Sequence, residues 1–201
     1  REGTDPAALF DAVQASAHAT PRRLFPTYHE AHVLPPVEGL SITDASVEQV
    51  GGVVRDIVDI EGPIHRELLD IRLKAVWEYR ARTKVVQDAI DAAIAWAIEQ
   101  GAVRIDDASF LWPTNRVRVR ARVPSDGSSA REIGHIAQEE LEALLIDLVR
   151  ASLSLPAEEL IATAGTTLGY ARAGAKVKKR LEDVLQQALA EGTIVRSSKS
   201  D

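Results

Sequence analysis

Residues 46–105 and 137–196 carry one apolar pattern twice, in register and without a gap, 91 positions apart. Val50, Val53, Val54, Ile57 and Val58 fall on Leu141, Leu144, Leu145, Leu148 and Val149. Further along, Leu69 falls on Leu160, Tyr79 on Tyr170, Val86 on Val177, Ile90 on Leu181, Ile94 on Leu185 and Gly101 on Gly192. Only 9 of the 60 aligned positions are identical, so identity is not the argument. The shared phase of the apolar residues is: it predicts two cores built to one plan.

Within the first copy, Ser46 is an N-cap candidate and the apolar series from Val50 to Val58 is one helical face. Glu61-Gly62-Pro63 ends that helix, and Ile64-His65 bridges to a second helix over about 66–75. A turn at 77–80 leads to the strongest helix, 82–100, stopped by Gly101. Residues 102–105, Asp106-Asp107 and 109–112 then form strand, turn and strand. The second copy repeats the order as helix 137–151, bridge 153–155, helix 157–165, helix 172–190 and strand 193–196, with Pro156 at the first helical position. The expected fold is mainly α with small β-hairpins: two tandem winged helix-turn-helix domains, 46–112 and 137–201. Before them lies a proline-rich, extended linker segment, 1–45, holding a short helix near 7–19. Between them, 113–136 holds the alternating run Arg116-Val-Arg-Val-Arg-Ala-Arg-Val123, expected to be a strand with one basic face. Starting at Arg1 inside a linker, the sequence reads as a piece of a longer chain.

Function classes narrow from there. A net charge of −6 restricts nucleic-acid contact to local patches. The absence of cysteine removes disulfides and thiolate metal sites and makes a cytoplasmic setting the expectation. No apolar run reaches membrane-spanning length, so no membrane partner is expected. His29 and His32 are spaced three apart, where a two-histidine zinc helix needs four, so no metal and no cofactor is expected; His65 reads as structural. With no phosphate-binding glycine loop, nucleophile elbow or cysteine, no catalytic residue, enzyme activity or small-molecule substrate is assigned to this stretch.

The basic residues are the positive lead. Arg172, Lys176, Lys178, Lys179 and Arg180 cluster near the N-terminal end of the second copy's third helix, where a helix dipole adds positive potential. They fit a DNA contact, a merely solvated basic face, or an acidic protein partner. Arg116, Arg118, Arg120 and Arg122 fit a phosphate track or a charged edge strand equally well. Arg80, Arg82 and Lys84 can reach phosphates from the start of the first copy's third helix, or simply solvate its turn. That helix differs on its outer side, where Val85, Ala89, Ala92 and Trp96 form an apolar stripe. The stripe is either covered by the connector or the other copy, or it docks a partner.

Two stretches, Glu61-Gly-Pro-Ile-His-Arg-Glu-Leu-Leu69 and Leu168-Gly-Tyr-Ala-Arg-Ala-Gly-Ala-Lys-Val177, resemble the signature stretches of an uncharacterised bacterial domain. That domain lies at the C-terminal end of superfamily-one helicase-like proteins, which often carry a very-short-patch-repair-type endonuclease domain. The resemblance spans roughly 46–196, with Glu78 where a glycine is expected before Tyr79 and the basic residues shifted to Arg80 and Arg82. It implies an accessory module of a DNA-processing protein in repair or phage defence, contacting DNA and upstream helicase or nuclease domains of its own polypeptide. A tandem winged-helix module for protein–protein contact is the alternative.

Overall fold

The computed structural model describes residues 25–115, 118–125, 128–152 and 155–196, which form six α-helices and one small sheet. The first unit runs α1 (Val47–Glu61), β1 (Ile64–His65), α2 (Arg66–Trp77), α3 (Lys84–Glu99), β2 (Val103–Ile105) and β3 (Phe110–Pro113). The second follows a short 3-10 turn, Ile133–His135, with α4 (Gln138–Ser152), α5 (Ala157–Thr167) and α6 (Ala175–Ala190). Adding 91 to the ends of α1 gives 138 and 152, and to the ends of α3 gives 175 and 190; these are the ends of α4 and α6. The repeat in apolar phase is thus matched by a repeat in the lengths of these helices.

Local chemistry explains the boundaries. Ser46 and Gln49 form a reciprocal capping box at the start of α1. Thr83 accepts the Val86 N–H at 3.3 Å to open α3. Pro156 sits at the N-cap of α5, one place earlier than its sequence position predicts. Gly101 and Gly192 close α3 and α6 at φ +68° and +75°, the left-handed conformation that glycine enters without a Cβ penalty. The turn after the second helix of each unit needs the same conformation, and there the copies differ: Glu78 at φ +49° stands where the second copy has Gly169 at φ +91°.

Each unit has its own apolar core. Val54, Ile57, Leu69, Leu73 and Ile90 are inaccessible in the first, and Leu141, Leu144, Leu145 and Leu181 in the second. Burying one such side chain contributes roughly 1.5–3 kcal/mol. The sheet has the order β1-β3-β2, antiparallel throughout, with Ile64 opposite Leu111 and Ile105 opposite the same residue on the other side. Asp106 shapes the hairpin by accepting the N–H groups of Ala108 and Phe110 and, at 2.7 Å, the Trp112 indole N–H.

Two expected strands do not form among the described residues. Residues 193–196 form none, although Ile194 is buried, because the described part of the second unit offers no partner strand to pair with. Residues 118–123 are extended but make one isolated parallel bridge, Val123 to Thr27. The alternation holds from exposed Arg118 and Arg120 to buried Ala121, and then Arg122 turns inward. Arg116, the helix expected near 7–19, residues 153–154 of the expected bridge and the polar end after 196 lie outside the described residues.

The segment before the first unit is extended, as its prolines imply, and it is packed. Phe25 enters the second core beside Ala121 and Val123, whereas Ala31 and Ile42 enter the first. This packing reveals that the repeat reaches further upstream than apolar phase alone shows. Ala31 N–H donates to the buried Glu61 carboxylate, and its equivalent 91 residues on, Arg122, donates its N–H to buried Glu140, although the two acceptors are not themselves equivalent, Ser152 and Gln49 standing at their matching positions. Ile42 and Ile133 are both buried and share the same offset.

Candidate functional site

Helix α6 has Gly174 as its N-cap residue, which provides no side-chain cap, so its first N–H groups lack a capping side chain. Arg172, Lys176, Lys178 and Lys179 are exposed there and Arg180 is half-buried, with no acidic residue between 171 and 181. Two of the lysines have local partners: Lys176 lies 2.5 Å from Glu132 and Lys179 3.3 Å from Asp183. Both lysine side chains remain more than 70% exposed, so these are surface pairs that a phosphate can displace at little cost. Arg172, Lys178 and Arg180 make no ion pair with a described residue.

The remaining basic candidates divide by how far they are already committed. Arg82 reaches Asp70 at 2.6 Å, close enough for an ion pair though not aligned as a hydrogen bond, and Lys84 is paired with Asp88. Arg80 is exposed without a described ion-pair partner, as are Arg118 and Arg120. Arg122 is a structural residue. Its side chain is 11% exposed and spans both units. On one side it meets Glu140 through Nε at 3.2 Å and through its terminal nitrogen at 2.8 Å. On the other it donates to the carbonyls of Glu61 (2.5 Å), Gly62 (3.4 Å) and Pro63 (3.0 Å) at the end of α1. Alternation marks Arg122 as one more surface arginine; only tertiary contact distinguishes it.

Around this clamp the junction is dense. Arg131 also pairs with Glu140 and donates to the Arg122 carbonyl at 3.0 Å, while both guanidiniums lie over the Tyr28 ring, at 4.2 and 5.2 Å. Tyr28 donates its hydroxyl to Glu61, which is in turn paired with Arg72 at 2.6 Å. Burial disfavours the charged form of Glu140, but Arg131 and Arg122 outweigh it and hold its carboxyl below the usual range. Burial, reinforced by Glu61, pushes the Tyr28 hydroxyl well above its ordinary value, and burial raises Tyr170 to about 12. A cleft of about 700 Å³ opens here, with Tyr28, Arg72, Arg131, His135 and Leu168 on its walls. Its arginines are already engaged by buried carboxylates.

On another part of the junction, Phe110 and Trp112 of β3 bury themselves against Ala137 at the start of α4. Beside them three side chains distant in sequence meet. His65 caps α2 by accepting the Glu67 N–H at 3.3 Å, stacks on His135 with ring centres 5.0 Å apart, and meets the Phe110 ring edge-on at 5.1 Å. His135 Nε2 lies 2.8 Å from the Glu67 carboxylate. Burial, with His135 nearby, lowers the His65 pKa, and the hydrogen bond with His135 lowers that of Glu67. Since 68 residues separate Glu67 from His135, no spacing motif announces this group. His29 and His32 are exposed and are not part of it.

The apolar stripe of the first unit is partly used. Trp96 is half-buried over Gly51, where a Cβ would collide with the indole ring. Val85 is 63% exposed and Ala92 is exposed, so no described residue covers that end; Ala89 is half-buried.

No described helix is long and apolar enough to cross a membrane. Comparison with known proteins yields no matching family model, no matching curated protein and no matching solved structure.

Proposed function

We propose that this chain is an accessory nucleic-acid-binding module with two winged helix-turn-helix units, the second of which contacts DNA phosphates through α6. The element order of the first unit, with its sheet order β1-β3-β2, supports the winged-helix reading; the matching helix ends extend it to the second. The observation that carries the DNA reading is the start of α6: five basic residues within 172–180, no acidic one among them, at a helix end without a side-chain cap. Such an end offers N–H groups, dipole and cations to one phosphate path. Placement at the C-terminal end of a helicase- or nuclease-like protein rests on the resemblance of the two signature stretches.

The test is the variant Lys176→Gln/Lys179→Gln/Arg180→Gln, read by duplex binding across a salt series. Affinity should fall by a similar factor for unrelated sequences, and the salt slope should flatten by up to about 0.9 log unit per lost phosphate contact. Unchanged binding at every salt concentration overturns the reading. The second reading, a protein-docking module, is favoured by the uncovered Val85 and Ala92 on α3.

A further inference from the structure

We infer that His65, Glu67 and His135 form a binding site for one divalent transition metal of the zinc class, bridging the two units. One ligand atom from each lies within 4.8 Å of the others. Two imidazoles and a carboxylate are a donor set that suits zinc, with a fourth position left for water, and it suits magnesium poorly, which prefers oxygen ligands.

Two features of the surroundings suit a metal at this spot. The Glu67 side chain is 67% exposed, which provides an entry path, while His135 is held at 13% exposure by the junction. The ligands also come from separately anchored elements: His65 at the β1–α2 corner, Glu67 in the first turn of α2, and His135 at the end of the 3-10 turn preceding α4. A metal here takes the place of the hydrogen between His135 Nε2 and Glu67, which lie 2.8 Å apart, and adds a bond to a ring nitrogen of His65. The result is a cross-link between the two units that does not depend on Arg122.

The experiment titrates chelator-treated chain, residues 1–201, with zinc chloride by calorimetry, and follows the melting temperature with zinc or magnesium present. The expected result is one zinc per chain and a melting temperature raised by zinc and not by magnesium. Two variants locate the site. His65→Asn removes the imidazole while keeping a good N-cap residue, and Glu67→Gln changes an exposed side chain; circular dichroism confirms that each folds. Each should weaken zinc binding at least tenfold and abolish the zinc-dependent rise in melting temperature. His29→Gln/His32→Gln should bind as the parent does. The inference is overturned if the parent takes up no stoichiometric zinc, if both ligand variants bind as tightly as the parent, or if the His29/His32 variant is the one that loses binding.

Discussion

Helices α3 and α6 have the same length, 16 residues, and occupy the same place in their units, yet their outward faces have diverged completely. Where α6 presents Lys176, Lys179 and Arg180, α3 presents Val85, Asp88 and Ala89. Deeper along the stripe, Trp96 lies on Gly51, whereas the second unit has Gln187 and Glu142 at the equivalent positions, and Glu142 accepts a hydrogen bond from Thr193 at 2.9 Å. The inward residues stay apolar in both. A shared core thus constrains half of each helix and leaves the other half free to specialise, so repeats built this way can divide labour without changing fold.

The largest way to break the comparison is to attack what holds the specialised units together. Arg122→Ala leaves the inaccessible Glu140 carboxylate with one guanidinium and should cost about 3–5 kcal/mol in urea unfolding. Arg120→Ala, an exposed neighbour in the same run, should fall within about 0.5 kcal/mol of the parent. Equal costs would mean that the inward arginine is nothing special. The same junction makes a pH prediction. The folded pKa of Glu140 is depressed, so its contribution is fully present above the ordinary carboxylate pKa of about 4.3 and is lost as pH falls through the lower folded value. Unfolding free energy measured over a pH series should therefore decline on acidification, and less steeply in Glu140→Gln.

A smaller effect sharpens the contrast between the third helices. Gly51→Ala forces the Trp96 ring aside and should cost about 1–3 kcal/mol, whereas Glu142→Ala at the equivalent position meets no such ring and should cost about 1 kcal/mol or less. Combining Gly51→Ala with Trp96→Ala should cost less than the sum, since the second change removes the obstacle. Strict additivity would show that the ring does not rest there. The paired turns test backbone conformation: Gly169→Ala, whose Cβ would also lie 2.6 Å from Pro124 Cγ, should cost about 1–3 kcal/mol, and Glu78→Gly should gain a few tenths, opposite signs at one structural position, read from melting temperatures.

What the sequence made legible is what repeats along it. Apolar phase located α1, α3, α4 and α6 to within three residues at every end, and Gly101 and Gly192 marked two helix ends through backbone sterics. The ties that cross the molecule were not legible. Arg118, Arg120 and Arg122 look alike in an alternating run, and only the position of Glu140 decides which one turns inward. A period-2 pattern likewise predicts a strand without saying whether an edge exists for it to pair with, and residues 193–196 have none among the described residues. His65, Glu67 and His135 fall in the same class, since their meeting depends on how two units dock.

Phe25 belongs to the second unit's core although the chain reaches it before entering the first, and Ala31 a few residues later ties the first unit's Glu61. The repeat boundaries at 46 and 137 are consequently poor places to cut. A fragment starting at 137 would expose the apolar seats of Phe25, Ala121 and Val123, and one ending at 112 would leave the carbonyls of residues 61–63 without Arg122. Although duplicated in pattern, the two units are not interchangeable parts: neither can be lent to another protein without its share of the other's chain.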